Sequence, residues 1–346
     1  MAFDKPIAVI GAGPVGSVLA AHFARSGRAL YVVESDPDRF AQLRKHGLSV
    51  AGTMEVAPQF PTFLPSIGAL SGHYLGAVFI CTKTWSLKSL LPELAKAVDH
   101  DTLIIDFQNG IGPEEEVAQV FPRERVCRGV INFAGGVEAD NGRVTMQWFT
   151  PPNYIAPLDA NTSLLVRDMA DLMTSTGLTT EAANCEALKK RVFYKTILNS
   201  ALNALCASVG ITMRQAMTLG HTRSLASLLI REGLSVAAAV GYYYGENSLD
   251  ESLKYLDRGG DHLPSMWLDL QRGLPTEIEY INGKIAQIGM MFKNIDVDVN
   301  IFFTSMIITQ EIKNGVRRPD QIPPYLVGPC LMRECCFQQP APPPVV

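Results

Sequence analysis

Charge is scarce in this chain: 18% of its 346 residues are Asp, Glu, Lys or Arg, against about 25% in an ordinary globular protein. Neither sign dominates, with 30 Lys and Arg against 34 Asp and Glu for a net charge of −4. That balance gives no general attraction for phosphate backbones or anionic lipid, so neither nucleic acid nor a membrane surface is expected as a partner. Long apolar runs are missing too; Leu225 to Tyr244 comes nearest and is broken by Arg231 and Glu232, short of the roughly 20 residues a spanning helix needs. No leader pattern opens the chain, since Ile7–Ile10 runs straight into Gly11. The six histidines form no HExxH and there is no GxSxG, which removes metalloprotease and serine-hydrolase readings. The seven cysteines are odd in number and lack CxxC spacing. Cys330, Cys335 and Cys336 cluster near the end without a histidine, so no metal site is expected, and reduced thiols in the cytoplasm are.

What remains is a chain that is 47% hydrophobic, with ample material for two domains. From Pro6 to about Pro157, short β-branched runs (Ile7–Ile10, Ala29–Val33, Ala77–Thr82, Thr102–Asp106, Val126–Ile131) alternate with helical patterns. Such runs fit strands buried on both faces of a parallel sheet. Val144–Phe149 and Asn153–Ala156 read as a later antiparallel addition. After Asn184 the pattern is helical, over 184–206, 221–246, 277–292 and 297–314. The expected fold class is α/β, a Rossmann-type doubly wound N-terminal domain (1–183) followed by an all-helical C-terminal domain (184–318). Residues 319–346, ending in PAPPPVV, are expected to form an extended tail. A cleft between the domains is the expected place for chemistry.

Gly11-Ala12-Gly13-Pro14-Val15-Gly16 follows the first strand and opens a helical stretch, Val15–Gly27, the context a dinucleotide-binding GxGxxG requires. Gly11 permits the tight turn, Gly13 lets a pyrophosphate approach, and Gly16 lets the helix close on the sheet. Free N–H groups at the helix N-terminus favour the phosphates. Glu34 ends the second strand, where a carboxylate accepts from ribose hydroxyls and repels a 2′-phosphate, so NAD(H) is favoured. Arg39, the nearest basic residue, is expected to be solvated on a helix surface.

Lys195, Asn199 and Asn203 recur at i, i+4 and i+8 within KTILNSALNA, one polar stripe on an apolar helix. It either lines a cleft or faces solvent. Thr276 and Glu279 fit a capping box, which accounts for Glu279 and leaves Glu277 as the unexplained carboxylate. Glu277 is either a reacting group or a charge favourable to a helix start. Ser265 is either a ligand contact or the N-cap of a helix over Met266–Gln271. Lys83 and Asn109 stand at carboxyl ends of presumed strands, where open α/β sheets bind ligands, although Asn109-Gly110 also suits a plain turn.

These residues together carry a resemblance. GAGPVG at 11–16, Lys83, QNGIG at 108–112, KTILNSALNAL at 195–205 and PSMWLDLQRGLPTEIEYING at 264–283 occur in order, and over roughly 6–314 the chain resembles the ketopantoate reductase (2-dehydropantoate 2-reductase) family. The resemblance implies Lys195 as general acid and Glu277 as its partner carboxylate. It also implies Asn109, Asn199, Asn203 and Ser265 as substrate-orienting residues and Lys83 as a lysine near cofactor and substrate. The family's usual cofactor, NADPH, is held by a basic residue after the second strand; here Glu34-Ser35-Asp36 stands in that place. The expected reaction is reduction of a small 2-oxoacid, ketopantoate first, by a homodimer using NADH, with NADP(H) open from the resemblance. Two alternatives stand beside it: an NADH-dependent D-2-hydroxyacid dehydrogenase acting on another branched 2-oxoacid, and a non-enzymatic NAD(H) sensor. A lysine's reference pKa of about 10.4 suits it to protonating the alkoxide that hydride transfer leaves.

Overall fold

The apolar runs become the middle of a sheet because their residues alternate between two helical layers. The structure is a computed structural model that describes residues 4–160 and 163–327. In strand β1 (Ile7–Ile10), Ile7 and Val9 enter one core with α1 (Pro14–Ala24) and α5 (Ser163–Ser175), while Ala8 and Ile10 enter another with α3 (Leu87–Ala97). Burial on both faces is why no polar residue interrupts these strands.

Around β1 the sheet is completed by β2 (Leu30–Val33), β5 (Thr62–Leu64), β6 (Ala77–Ile80), β7 (Leu103–Asp106), β8 (Val126–Val130), β11 (Asn153–Pro157) and β12 (Thr180–Ala182). Its order is β12-β11-β8-β7-β6-β1-β2-β5, parallel throughout except where β11 runs against β8. The chain winds outward on either side of β1, which puts the topological switch point between β1 and β6, the place at whose carboxyl ends open α/β sheets bind ligands. Four further strands, β3 (Leu48–Gly52), β4 (Val56–Gln59), β9 (Phe133–Val137) and β10 (Val144–Phe149), form a separate sheet ordered β4-β3-β10-β9. The run 144–149 therefore belongs to this second sheet, pairing in parallel with β3 as well as antiparallel with β9. Only 153–157 is the antiparallel addition to the first.

The described chain after β12 is helical. It comprises α6 (Cys185–Val209), α7 (Met213–Thr218), α8 (Gly220–Ala239), α9 (Ser248–Leu256), α10 (Ser265–Gln271), α11 (Asn282–Gly289) and α12 (Asp298–Lys313). Two helices are shorter than the periodicity predicts. Gly241, at φ +91°, stops α8, and a break at Ile281 separates a 3-10 turn over Ile278–Tyr280 from α11. The chain divides into two compact units inside α6, after Lys195, rather than at residue 184. The reason is local: Leu188 and Val192 of α6 pack with Val130 and Ala156 of the sheet. Residues 319–327 are not extended tail. They form 3-10 turns at Pro319–Gln321 and Pro324–Leu326, and Tyr325 leaves no room for a side chain at Gly283. Residues 328–346, with Cys330, Cys335 and Cys336, lie outside the described residues.

Candidate active site

In the N-terminal unit the site is first of all a backbone turn. Gly11 adopts φ +91° and donates its N–H to the Val33 carbonyl at 2.9 Å. A Cβ on Gly16 would stand 1.9 Å from the Gly11 carbonyl oxygen, so only glycine lets α1 begin so close to β1. A Cβ on Gly13 would meet nothing within 4 Å, which leaves an open cradle before the α1 N-terminus. Pro14 is the first helical residue and lacks an N–H, Val15 follows half-buried, and Ser17 N–H closes on the Gly13 carbonyl at 2.9 Å. The loop thus meets the steric demands of a bound pyrophosphate.

Glu34, half-buried at the end of β2, fixes this loop. Its carboxylate accepts from the Ala12 N–H at 3.0 Å and from the Asp36 N–H at 2.9 Å. Arg39 is not solvated as expected. Its Nε donates to the Ala12 carbonyl at 3.0 Å, one Nη to Ser17 Oγ at 2.9 Å and the other to the Gly142 carbonyl at 2.7 Å. Asp36 caps α2 (Pro37–His46), which places Arg39 in its first turn beside the loop. The Ala12 peptide is therefore gripped on both sides, by Glu34 and by Arg39.

The ends of β6 and β7 meet beside this turn. Lys83, half-buried, precedes a 3-10 turn over Thr84–Ser86, and the neighbouring Thr82 lies where a Gly11 Cβ would have to go, 2.9 Å away. Asn109 is half-buried just before Gly110, whose φ of +87° makes the turn. Gln108 joins the two loops, its Nε2 donating to the Thr82 carbonyl at 3.0 Å and hydroxyl at 3.1 Å. Beneath lies a buried cluster that sequence reasoning missed: Asp106, Arg128 on β8, and Glu114 on α4 (Pro113–Val120). Burial pushes the Asp106 carboxyl up to about 6, against the pull of the Arg128 charge; Glu114 raises it further.

On α6 the Lys195 ammonium donates to the Ile131 carbonyl at 2.8 Å, just past β8. Asn199 is half-buried and Asn203 is 8% exposed, so the stripe is not the solvated face of an exposed helix. In the C-terminal unit, Ser265 is exposed as the first residue of α10, and the N-cap is Pro264 rather than Ser265. Glu277 is 4% exposed and precedes the 3-10 turn at Ile278.

The capping box expected of Thr276 and Glu279 does not form. Thr276 accepts only weakly from Ile278 N–H, at 3.3 Å, while its own N–H and hydroxyl both donate to Glu311 at 2.7 Å. Glu279 instead pairs with Arg317 at 2.6 Å, and Arg317 reaches Glu311 at 2.7 Å. Glu279 makes this pair from within the 3-10 turn over Ile278–Tyr280. A second buried network steadies α6: Asn282 Nδ2 donates to the Ser200 carbonyl at 3.0 Å and to Asn300 at 3.1 Å. Asn300 in turn donates to Glu232, which also receives the Val299 N–H at the start of α12. No spacing pattern marks Glu311, Arg317, Glu232 or Arg128. For Glu311, Glu232 and Arg128 the signal available was a charge inside an apolar helix or strand; Arg317, in the bend after α12, had none.

Comparison with known proteins follows the same order along the chain. The family described as Ketopantoate reductase PanE/ApbA matches residues 7–152, and its C-terminal counterpart matches 187–311. The chain belongs to the ketopantoate reductase family. It is an NAD(P)H-dependent oxidoreductase. Among curated relatives, the 2-dehydropantoate 2-reductase of Archaeoglobus fulgidus is 27% identical, over 85% of this chain and 94% of its own. That of Pyrococcus horikoshii is 25% identical, over 89% and 98%. Among solved structures, D-mandelate dehydrogenase with NADH and anilino(oxo)acetate superposes with a TM-score of 0.80 at 20% identity, covering 90% of this chain and all of the other. A family reductase from Ralstonia eutropha gives 0.79 at 20% identity with the same coverage. Among the described residues no helix is long and apolar enough to cross a membrane, and no group of side chains could hold a metal ion.

Proposed function

We propose that this family member reduces ketopantoate to pantoate with NADH. The observation that carries the reaction type is Lys195, an ammonium held half-buried on α6 by the Ile131 carbonyl. NADH, when bound, supplies the hydride that reaches the keto carbon. As the C=O π pair moves onto oxygen, Lys195 passes a proton from Nζ to that oxygen, giving the 2-hydroxyacid and a neutral amine that solvent reprotonates. Glu277, buried in the C-terminal unit, is the second ionisable group assigned to the reaction. Asn109, Asn199, Asn203 and Ser265 are assigned to binding the substrate's carboxylate and hydroxyl oxygens, and Lys83 to the cofactor's side of the substrate. Relatives named 2-dehydropantoate 2-reductase support the substrate.

For the cofactor, Glu34 supports NADH over NADPH. Its carboxylate is fixed to the loop by two N–H groups, and a 2′-phosphate beside it would be repelled. Arg39, whose guanidinium is spent on three oxygens of the protein, is not a ready phosphate clamp. A homodimer is part of the reading, supported by the dimeric ketopantoate reductase of Staphylococcus aureus, 22% identical with a TM-score of 0.73; light scattering tests it, and a monomer mass in solution would overturn it.

A second reading, reduction of a bulkier 2-oxoacid, is favoured by the likeness to D-mandelate dehydrogenase. A panel of ketopantoate, 2-oxoisovalerate and phenylglyoxylate, each with NADH and NADPH, separates the two. We expect the highest kcat/KM for ketopantoate with NADH. A preference for phenylglyoxylate overturns the substrate, a preference for NADPH overturns the cofactor, and tight NADH binding without turnover turns the reading toward a sensor.

A further inference from the structure

Arg128 has no part in the reaction as read so far, yet it is 5% exposed at the centre of a buried charge cluster. One Nη donates to the Gly110 carbonyl at 3.0 Å. The other pairs with the Asp106 carboxylate and lies 3.4 Å from the Asp106 carbonyl. Nε faces Glu114 at 3.5 Å without forming a hydrogen bond. The remaining Asp106 oxygen accepts the Gln108 N–H at 3.0 Å. A single guanidinium thus grips both residues that bracket the Phe107–Gln108–Asn109 stretch. The Gln108 side chain ties the same stretch to Thr82, next to Lys83.

Stability alone is a poor reason for this arrangement. Burying two carboxylates around one guanidinium carries a desolvation cost that apolar residues of equal volume avoid. A planar fork, however, fixes the direction of a backbone carbonyl together with that of a carboxylate in one rigid plane, which a lysine's rotatable ammonium on a flexible stem does not. The carbonyl it fixes belongs to Gly110, in the left-handed region at φ +87°, where the chain has the most freedom to choose another turn. We infer that Arg128 is a positioning residue: it sets the 106–110 turn and so the direction from which Asn109 meets its ligand. The inference rests on the proposed role of Asn109.

A double-mutant cycle on the full-length enzyme tests it, with ketopantoate and NADH as the probes. Arg128→Lys, which keeps the charge and loses the fork, is expected to lower kcat/KM for ketopantoate about 10- to 100-fold, the effect of a misplacement near 1 Å. Most of the loss should lie in KM. On the Asn109→Ala background the same change should cost little, because the group it positions is gone. Equal losses on both backgrounds, or wild-type kcat/KM in Arg128→Lys, overturn the positioning role alone. Wild-type kcat/KM in Asn109→Ala overturns the role of Asn109 and the inference with it. Should Arg128→Lys fail to fold, Asp106→Asn replaces it in the cycle, since it weakens the grip on the same turn and retains an acceptor for Gln108; the same outcomes decide.

Discussion

In the N-terminal unit the groups we assign to the cofactor's phosphates are backbone: the Gly11 turn, the open cradle at Gly13 and the N–H groups opening α1. In the C-terminal unit those we assign are side chains on separate elements: Asn199 and Asn203 on α6, Ser265 on α10, and Glu277 just before the 3-10 turn at Ile278. The two kinds of site need different support. A backbone turn is held by steric exclusion, so glycine at 11 and 16 does most of the work, with Glu34 and Arg39 gripping Ala12. A side-chain site needs its helices and turns set relative to one another, and Glu311 with Arg317, and Glu232 with Asn300 and Asn282, provide that through buried charge and amide networks.

The difference can be broken from either side. The largest expected effect on stability is in the helical unit: Glu311→Ala strips Arg317 of one partner and leaves the Thr276 N–H and hydroxyl unpaired. It should cost about 3–5 kcal/mol in urea unfolding, the usual result of removing half of a buried ion pair. A loss below about 1 kcal/mol, as at an exposed pair, would show that the network does not hold this turn. In the sheet unit, Gly16→Ala forces α1 away from the Gly11 carbonyl and should cost about 1–3 kcal/mol through overpacking. NADH affinity should fall with it, by about tenfold for each 1.4 kcal/mol lost from the bound state. Unchanged NADH affinity by fluorescence titration would mean that the loop is not the cofactor's seat.

A third effect depends on pH. Asp106 has its folded pKa raised from an ordinary 3.8 to about 6. Between those values the folded state holds the extra proton, so this group's stabilising contribution is full below about pH 4 and is lost as the pH rises through about 6. Asp106→Asn should flatten that part of the stability profile, measured as urea midpoints across the range. A slope unchanged from wild type would remove Asp106 as its source.

The same contrast explains what could be read from the sequence. GAGPVG was legible because a turn that admits only glycine must write its glycines into the chain, and buried strands must write apolar runs. The strands β4 and β9 are illegible in the sequence because proline or glycine interrupts them, as in VAPQ and FAGGV. Lys195 and Asn199 stood out as polar residues in an apolar helix, which their partial burial makes reasonable. Arg39 reads as solvated in the sequence because its three acceptors come from remote residues and from backbone, leaving no local pattern. Thr276 and Glu279 had the spacing of a capping box, but Glu311, 35 residues after Thr276, competes for the threonine, and Arg317 takes the glutamate. Buried polar partners at long range are set by tertiary packing, and spacing rules are blind to them.

The division between a backbone seat for the cofactor and side chains for the reaction meets its most direct test in Lys195→Ala, assayed for both functions. We predict NADH affinity within twofold of wild type, about the scatter expected of two independent sites. Turnover of ketopantoate should fall by about 10²–10⁴, the usual worth of a general acid. Near-normal turnover in that variant would contradict the account at its centre.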